Sequence, residues 1–321
     1  MPFKLDARAI GLAALIVLGL LVPLVVQDTY TRHLFIMAFI YAVVASSWDL
    51  SLGYAGIFNF GHVAFFGIGV YATGLTAKLI GLDPWLAMLF GGVAASAAAA
   101  LIALPVVRLQ GIYVVLVTFA FSQLVLQVVI SQSDVTGGTQ GLVRVPTIEL
   151  FGYNFIRDFK FGYYYVAFTM MVIAVACLRW LARSDFGLSI VAMRDNEDYA
   201  ASRGIPIALQ RLKVLMFSAF FAGIAGGFFV IYLRVASPEV FSFASTSLIL
   251  SMVLVGGTST IYGPVLAALV LTFVSEGLAN VEGLAEGRFI LIAVAMIVVL
   301  IFLPKGLASA LPRRWAARSA E

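Results

Sequence analysis

The stretch RSDFGLSIVAMRDNEDYAASRGIPIALQRLK, Arg183–Lys213, is the long charged segment of an otherwise apolar chain. Nine of the chain's 20 basic and 16 acidic residues lie in it, although the chain has 321 residues. Because apolar segments flank it on both sides, it is expected to leave the hydrophobic part of the protein and enter water. The contrast predicts a membrane protein that concentrates its polarity in one compact loop.

This loop carries the signals of a short capped helix at about 196–203. Asp195 stands at the expected N-cap. Glu197 adds negative charge to the first turn and Arg203 adds positive charge to the last, as the helix dipole favours. Gly204 supplies the position after the helix. The alternative is a merely solvated connection, but a disordered linker gains nothing from such caps. The loop is therefore predicted to offer a structured surface to a soluble partner.

The composition of the chain identifies its class. It is 62% hydrophobic and 11% charged, and a water-soluble domain of this length could not hide that much apolar surface. The single Cys177 excludes an intrachain disulfide, and two histidines exclude a histidine-rich metal site. The net charge of +4 does not indicate a nucleic-acid partner, because the basic residues flank the apolar segments. The lipid bilayer is thus the predicted solvent.

Ten apolar segments follow one another along the chain, and roughly 20 residues suffice to span a bilayer as a helix. They cover about residues 9–26, 34–50, 57–79, 84–105, 112–131, 162–182, 214–235, 244–257, 263–276 and 289–304. The pair 244–257 and 263–276 is short and glycine-broken, so it forms either two short spans or a re-entrant pair. The predicted fold is an all-α polytopic membrane helical bundle of 8–10 spans in a single domain, residues 1–321.

The distribution of basic residues predicts how the chain is oriented. When the Arg183–Lys213 loop is placed inside and the spans alternate, 13 of the 20 basic residues lie inside. Both termini are then cytoplasmic, and the longest external loop covers about residues 132–161. The segment 9–26 follows basic residues, as a signal peptide does, but no small-residue cleavage pattern follows it. We read it as a retained anchor.

Signatures of catalysis are missing from the sequence. No lysine follows a glycine, so a phosphate-binding GxxxxGK[ST] loop is excluded. The sequence has no HExxH, no GxSxG and no acidic cluster suited to a catalytic metal. Gly67–Ala72 matches the loose dinucleotide pattern GxGxxA, but it lies within an apolar segment where helix packing is the ordinary explanation. No enzyme, cofactor or metal is predicted.

Several glycine-rich motifs together resemble a known family. They are GYAGIFNFGHVAFFGIGVYATG at Gly53–Gly74, TGGTQG at Thr136–Gly141, GGTSTIYGPVLAAL at Gly256–Leu269, the charged loop followed by the small residues of Ser218–Gly227, and PKGL at Pro304–Leu307. Jointly they resemble the permease subunits of branched-chain amino acid ABC importers, specifically the subunit that is paired with a second, similar permease. The resemblance extends from about Trp48 to Leu307.

The resemblance implies a multi-pass protein of the bacterial inner membrane that works with partners. These are a second permease subunit, most simply in a heterodimer, two cytoplasmic ATPase subunits and a periplasmic solute-binding protein. The loop at about 183–213 would be the cytoplasmic coupling loop, although nothing after Gly204 matches the Ile-x-Leu-Pro of many importers. The candidate coupling residues are Arg194, Asp195, Glu197, Ala200, Ala201, Arg203 and Gly204.

The resemblance also implies alternating access. The helix at 196–203 would act as a lever on the adjoining spans 162–182 and 214–235 when the ATPases close. In the second of these spans, Ala219, Gly223 and Gly227 lay small residues on one helix face and favour close helix packing.

The path of the solute is expected among polar residues within apolar segments. Asn59 and His62 are spaced by three, which would place them on one helix face. They line the path or are satisfied by neighbouring helices. Asp49 is expected to be an interfacial carboxylate in contact with headgroup water, with a gate as the alternative. The candidate path residues are Asn59, His62, Ser122, Gln123 and Ser251.

Three other functions remain open. A permease for urea or short amides would share the motifs of the same family. An ion-coupled secondary transporter would need ionisable residues deep in its spans, but Asp49 and Glu276 both lie near span ends. A membrane scaffold would not need the broken pair at 244–276.

Overall fold

A computed structural model describes residues 19–26, 28–150, 153–154 and 160–279, and also 287, 293–294, 296–297, 301 and 306. These residues form an all-α polytopic bundle, as the sequence predicts. The predicted segments 9–26 and 289–304, and both chain termini, lie wholly or largely outside the described residues.

After the helical residues 19–25, the first half of the described chain has four long helices and one short one. Asp28 caps the first, accepting from the backbone N–H of Tyr30 and Thr31. A hydrogen bond from the Thr31 hydroxyl lowers the pKa of Asp28. The helices are α1 (Thr29–Asp49, continued by the π-helical segment Leu50–Tyr54), α2 (His62–Leu75, continued by Thr76–Ile80), α3 (Pro84–Val106), α4 (Ile112–Ser131) and the one-turn α5 (Ser133–Thr136).

The second half contains six further helices. They are α6 (Phe161–Arg183), α7 (Asp185–Asp195), α8 (Glu197–Ser202), α9 (Ile207–Leu233), α10 (Phe243–Gly256) and α11 (Tyr262–Ala279). Two antiparallel strand pairs also form, β1 (Leu142–Val143) with β4 (Val235–Ala236), and β2 (Glu149–Leu150) with β3 (Tyr153–Asn154). Short 3₁₀ turns cover Gly138–Gln140 and Pro238–Phe241.

Within the described residues, seven helices are long and apolar enough to cross a membrane: α1, α2, α3, α4, α6, α9 and α11. The predicted broken pair corresponds to α10 and α11, which pack against each other. Its second member has 18 residues and reaches membrane length, while α10 has only 14. We call the residues between them, 257–261, the hairpin turn.

Helix α9 lies at the centre of the bundle, against α2 and α3. Small residues permit this approach. A Cβ added to Gly223 would lie 2.6 Å from the Cβ of Ala95, and one added to Gly226 would overlap the carbonyl oxygen of Phe66. Gly227 and the fully buried Ala219 belong to the same tightly packed region. Backbones without side-chain bulk therefore set the distances between these three helices.

The loops gather at two ends of the bundle. At one end lie α7, α8 and the hairpin turn, which we call the α7–α8 end. At the opposite end β1 pairs with β4, and Lys78 donates to the carbonyl oxygen of Val143. The long helices alternate in direction between these ends. Residues from distant parts of the sequence therefore meet at the α7–α8 end.

Candidate functional site

The residue that caps the start of the short helix α8 (Glu197–Ser202) is Asn196. Its side chain accepts a hydrogen bond from the backbone N–H of Tyr199 at 2.8 Å, and its backbone is extended. The predicted N-cap, Asp195, is therefore wrong: Asp195 is the last residue of α7. Its carboxylate pairs instead with the guanidinium of Arg194, at 2.8 Å. Neighbouring Asp and Asn side chains are both good caps, so local sequence does not separate them.

The end of α8 is closed at Gly204, which has a φ of +84°. The backbone N–H of Gly204 donates to the carbonyl of Ala201, and that of Ile205 donates to the carbonyl of Ala200. This pair of bonds is the Schellman arrangement that a left-handed residue makes possible. Arg203 follows the helix and donates to the hydroxyl of Tyr199 at 2.7 Å. Helix α8 is thus a compact, separately capped turn.

Glu197 ties α8 to the rest of the bundle. Its carboxylate lies 2.7 Å from a guanidinium nitrogen of Arg211, at the start of α9. The other terminal nitrogen of Arg211 donates to the carbonyls of Val107 and Leu109, in the connection between α3 and α4. The Arg211 side chain is only 13% exposed, so the pair is held in place on several sides. Glu197 and Arg211 therefore connect α8 to α9 and to the connection between α3 and α4.

Arg194 makes a second link. Its Nη1 donates to the carbonyl oxygen of Gly53 and to the Oγ of Ser259, at 2.9 Å in both cases. Its other nitrogens donate to Asp195. Arg194 is exposed, and through these bonds its guanidinium joins α7 to the end of α1 and to the hairpin turn.

Asp49 binds the hairpin turn through hydrogen bonds to its backbone. Its carboxylate accepts the backbone N–H groups of Ser259 at 2.7 Å and of Thr260 and Ile261 at 3.0 Å. The residue is fully buried, so the expected contact of Asp49 with headgroup water is wrong. Its partners are more than 200 positions away in sequence, and no local pattern announces them.

The backbone near Asp49 is shaped for this contact. A Cβ on Gly53 would overlap Asp49 Oδ1 and the backbone nitrogen of Ser259. Ser259 and Ile261 have φ values of 63° and 57°, which side-chain-bearing residues rarely adopt. The described Gly306, from the predicted C-terminal motif, packs against Gly257 in the same turn. Residues of the Gly53–Gly74, Gly256–Leu269 and Pro304–Leu307 motifs thus meet at the hairpin turn.

The outer surface of α7 and α8 is polar with a few apolar side chains. Tyr199 is 57% exposed and Leu188 is 67% exposed. Ala201 and Arg203 are exposed as well, whereas Ala200 is buried against the bundle. The candidate coupling residues therefore divide between an exposed surface and the internal links made by Arg194 and Glu197.

Asn59 and His62 are both buried, but they do not share a helix face. Helix α2 begins only at His62, and Asn59 lies in the preceding loop, so that prediction is wrong. The side chain of Asn59 accepts from the backbone N–H of Gly61, a local turn that stops the helix from extending backwards. The His62 ring stacks on Trp48 and its Nε2 lies 3.1 Å from the hydroxyl of Ser47. The stacking fixes the ring, while Nδ1 of His62 and Nδ2 of Asn59 are buried with no hydrogen-bond partner among the described residues.

The remaining path candidates lie in different surroundings. Ser122 is buried in α4, and Ser251 is buried in α10, where it donates to the carbonyl of Ser247. Gln123 is exposed, and so is Gln127 one turn later. Of the seven membrane-length helices described, α4 is the least covered, with 22% of its membrane window buried. The loop that holds Asn59 lies against α4, where the backbone N–H of Phe60 donates to Thr118 Oγ1, one turn before Ser122.

Sequence reasoning missed several residues of the α7–α8 end. Ser259 lies in the Gly256–Leu269 motif and Arg211 in the charged loop, but their roles depend on partners in other helices, which local sequence does not predict. Gly53 likewise lies in a glycine-rich apolar motif that does not predict its contact with Asp49. Among the described residues, no group of three or more His, Cys, Asp or Glu side chains is placed to hold a metal ion.

Comparison with known proteins assigns the chain to a family. Residues 30–301 match the family described as branched-chain amino acid transport system / permease component. No solved structure matches the chain.

Individual relatives agree with this match. The chain is 29% identical over 319 residues to the high-affinity branched-chain amino acid transport system permease protein LivM of Escherichia coli, covering 92% of this chain and 74% of the relative. LivM of Salmonella typhimurium is 28% identical, with 84% and 68% covered. The D-allose transport system permease protein AlsC of Escherichia coli is 26% identical, with 64% and 63% covered. With seven membrane-length helices among its described residues, the chain is a multi-pass inner-membrane protein, and it belongs to the family of branched-chain amino acid transport system permease components.

Proposed function

We propose that the chain is the membrane-spanning permease of an ATP-driven importer of branched-chain amino acids. The match of residues 30–301 to the permease family carries this proposal. In this proposal two partner ATPase subunits hydrolyse the nucleotide, and a periplasmic binding protein delivers the solute. The chain itself contributes a conduit and a surface on which the ATPases act.

The α7–α8 end is the proposed cytoplasmic end. The excess of basic residues on that side supports this orientation. So does the outer surface of α8, where Tyr199, Ala201 and Arg203 are exposed. Helix α8 is exposed and capped, and Glu197 and Arg194 link this region to the bundle. A soluble protein that displaces α8 would therefore also displace the helices to which it is linked.

The second permease subunit is proposed to cover α4. Gln123 and Gln127 are exposed on this helix within the membrane span. Amide groups facing lipid tails have no hydrogen-bonding partners there, so they favour protein or water as neighbours. A path between the two permeases would supply both. Buried Asn59 and His62, in contrast, would support the helices around that path.

Transport is proposed to proceed by alternating access. Closure of the ATPase pair displaces α7 and α8, and the links to α1, α3 and α9 re-aim these helices. Few charged side chains are expected within the spans, so recognition of an amino acid with its ammonium and carboxylate groups is assigned mainly to the binding protein.

The solute distinguishes this proposal from its alternatives. Vesicles containing the chain and all partner subunits should take up labelled leucine in the presence of ATP and binding protein. Uptake of labelled urea instead would favour the amide permease, and uptake that follows an ion gradient without ATP would favour a secondary transporter. The relative named for D-allose makes that sugar a useful third substrate.

The coupling role of the α7–α8 end has its own test. Glu197→Lys would place two cations together at Arg211, and Gly204→Asp would put a side chain at a φ of +84°. Both variants should abolish ATP-driven uptake while membrane insertion and permease pairing persist. Undiminished uptake by both variants would contradict the assignment.

A further inference from the structure

The contacts of Arg194 raise the question of how displacement of α7 reaches the helices inside the membrane. A residue that only docks an ATPase would direct its guanidinium outward. Arg194 instead donates to the carbonyl of Gly53 and the hydroxyl of Ser259 through a single nitrogen, and Ser259 Oγ donates to the same carbonyl at 2.8 Å. These three groups form a closed triangle between α7, α1 and the hairpin turn.

The hairpin turn is fastened by Asp49 in the same place. The backbone N–H of Ser259 and those of the next two residues all donate to its carboxylate. Hydrogen bonds to a buried, charged acceptor are among the stronger ones in proteins. Since Ser259 and Ile261 hold left-handed backbone angles, the turn keeps its shape only while these bonds persist.

Two glycines leave room for the side chains of Asp49 and Arg194. Gly53 admits the carboxylate of Asp49, as described above. Gly56, at a φ of +68°, lies beneath the stem of Arg194, where an added Cβ would come within 2.7 Å of its Cγ. The two glycines therefore let the side chains of Asp49 and Arg194 lie directly against the backbone at the end of α1 and in the loop after it.

We propose that Arg194, Ser259 and Asp49 form a positioning relay that makes the hairpin turn follow α7 and α8 during transport. This inference rests on the proposed ATP-driven function and adds an internal route to it. The turn joins α10 and α11, so its displacement would tilt the broken pair together with the end of α1. None of the three residues needs to touch the solute or the ATPase.

The relay can be tested by measuring a distance in the complete complex. Spin labels at Asp198→Cys and Thr258→Cys, both exposed positions, would be placed on a Cys177→Ala background. The relay predicts that their distance is the same in the nucleotide-free and ATP-trapped complex. In Ser259→Ala, which removes the bridging hydroxyl, the distance should change or broaden on trapping. A distance that changes in the wild type, or that stays fixed in both proteins, would overturn the relay.

Uptake measured in parallel separates a relay from a merely structural role. Ser259→Ala should lower uptake per ATP hydrolysed by about tenfold, because the bridge to a charged donor is lost, while the ATPase rate of the complex persists. Thr258→Ala, one residue away and exposed, is the matched control and should retain coupling. An unaltered ratio in Ser259→Ala would contradict the relay. If the wild-type complex shows no ATP-driven uptake, the proposed function fails, and the relay with it.

Discussion

Gly53 shows how a single missing side chain can position distant parts of a membrane protein. It lies in the π-helical segment that ends α1, a kind of distortion that is frequent at functional sites. Its carbonyl accepts from Arg194 and Ser259, and the space beside its Cα is filled by the Asp49 carboxylate. Any larger residue must displace either that carboxylate or the hairpin turn.

Gly53→Ala should therefore lower the stability of the detergent-solubilised protein by about 1–3 kcal/mol, since an added methyl in a filled site forces its neighbours to shift. Thermal unfolding of the purified chain would measure the effect. Gly277→Ala is the matched control, because an added Cβ there meets nothing within 4 Å. Equal stabilities for the two variants would show that the contact around Gly53 is looser than described.

Asp49 and Asn196 mark the limits of prediction from sequence. Seven of the ten predicted apolar segments coincide with membrane-length helices of the described chain, because a helix in lipid must satisfy its backbone locally. Asp49 was placed at a wet interface because its acceptor role depends on a turn more than 200 residues later. Asn196 was passed over for Asp195 because the two caps differ in tertiary contacts and not in type. Local patterns identified the helices, whereas the links between them required the structure.

Helix α8 has six residues and depends on its caps. Isolated helices of this length are not stable, so the cap at Asn196 and the Schellman turn at Gly204 carry much of its order. Its further support is the pairing of Glu197 with Arg211. Loss of either cap is therefore expected to unfold α8 locally and to break its link from Glu197 to Arg211.

Asn196→Ala should weaken α8 by about 1 kcal/mol and reduce ATP-driven uptake, while Asn196→Asp, which keeps a capping oxygen, should retain most of it. Uptake by vesicles with all partner subunits would be compared with the amount of assembled complex. Loss of uptake in both variants to the same extent would indicate that the amide itself, and not the cap, is required.

The described bundle covers its helices unequally. Helices α1 and α9 are largely buried, whereas α4 leaves most of its length uncovered. Exposed Gln123 and Gln127 lie on α4, while Asn59 and His62 are enclosed by their own chain. This asymmetry agrees with the proposal that a second permease covers α4, and it divides these four residues into an exposed and a buried pair.

Gln123→Cys on a Cys177→Ala background should react with a charged thiol reagent in the assembled complex, and Asn59→Cys should be protected in every transport state. The physical reason is that the reagent needs water, which a path supplies and lipid or a packed interior does not. Mass spectrometry of the labelled chain would report both. Protection of Gln123→Cys together with reaction of Asn59→Cys would place the path inside this chain instead.

We propose that this chain is a passive conduit that its partner subunits move from the α7–α8 end. The most direct measurement is accumulation of labelled leucine in vesicles containing the chain alone, the chain with the second permease, or the complete complex with ATP and binding protein. We predict accumulation only in the complete complex and only with hydrolysable ATP. Accumulation against a gradient by the chain alone would contradict this account.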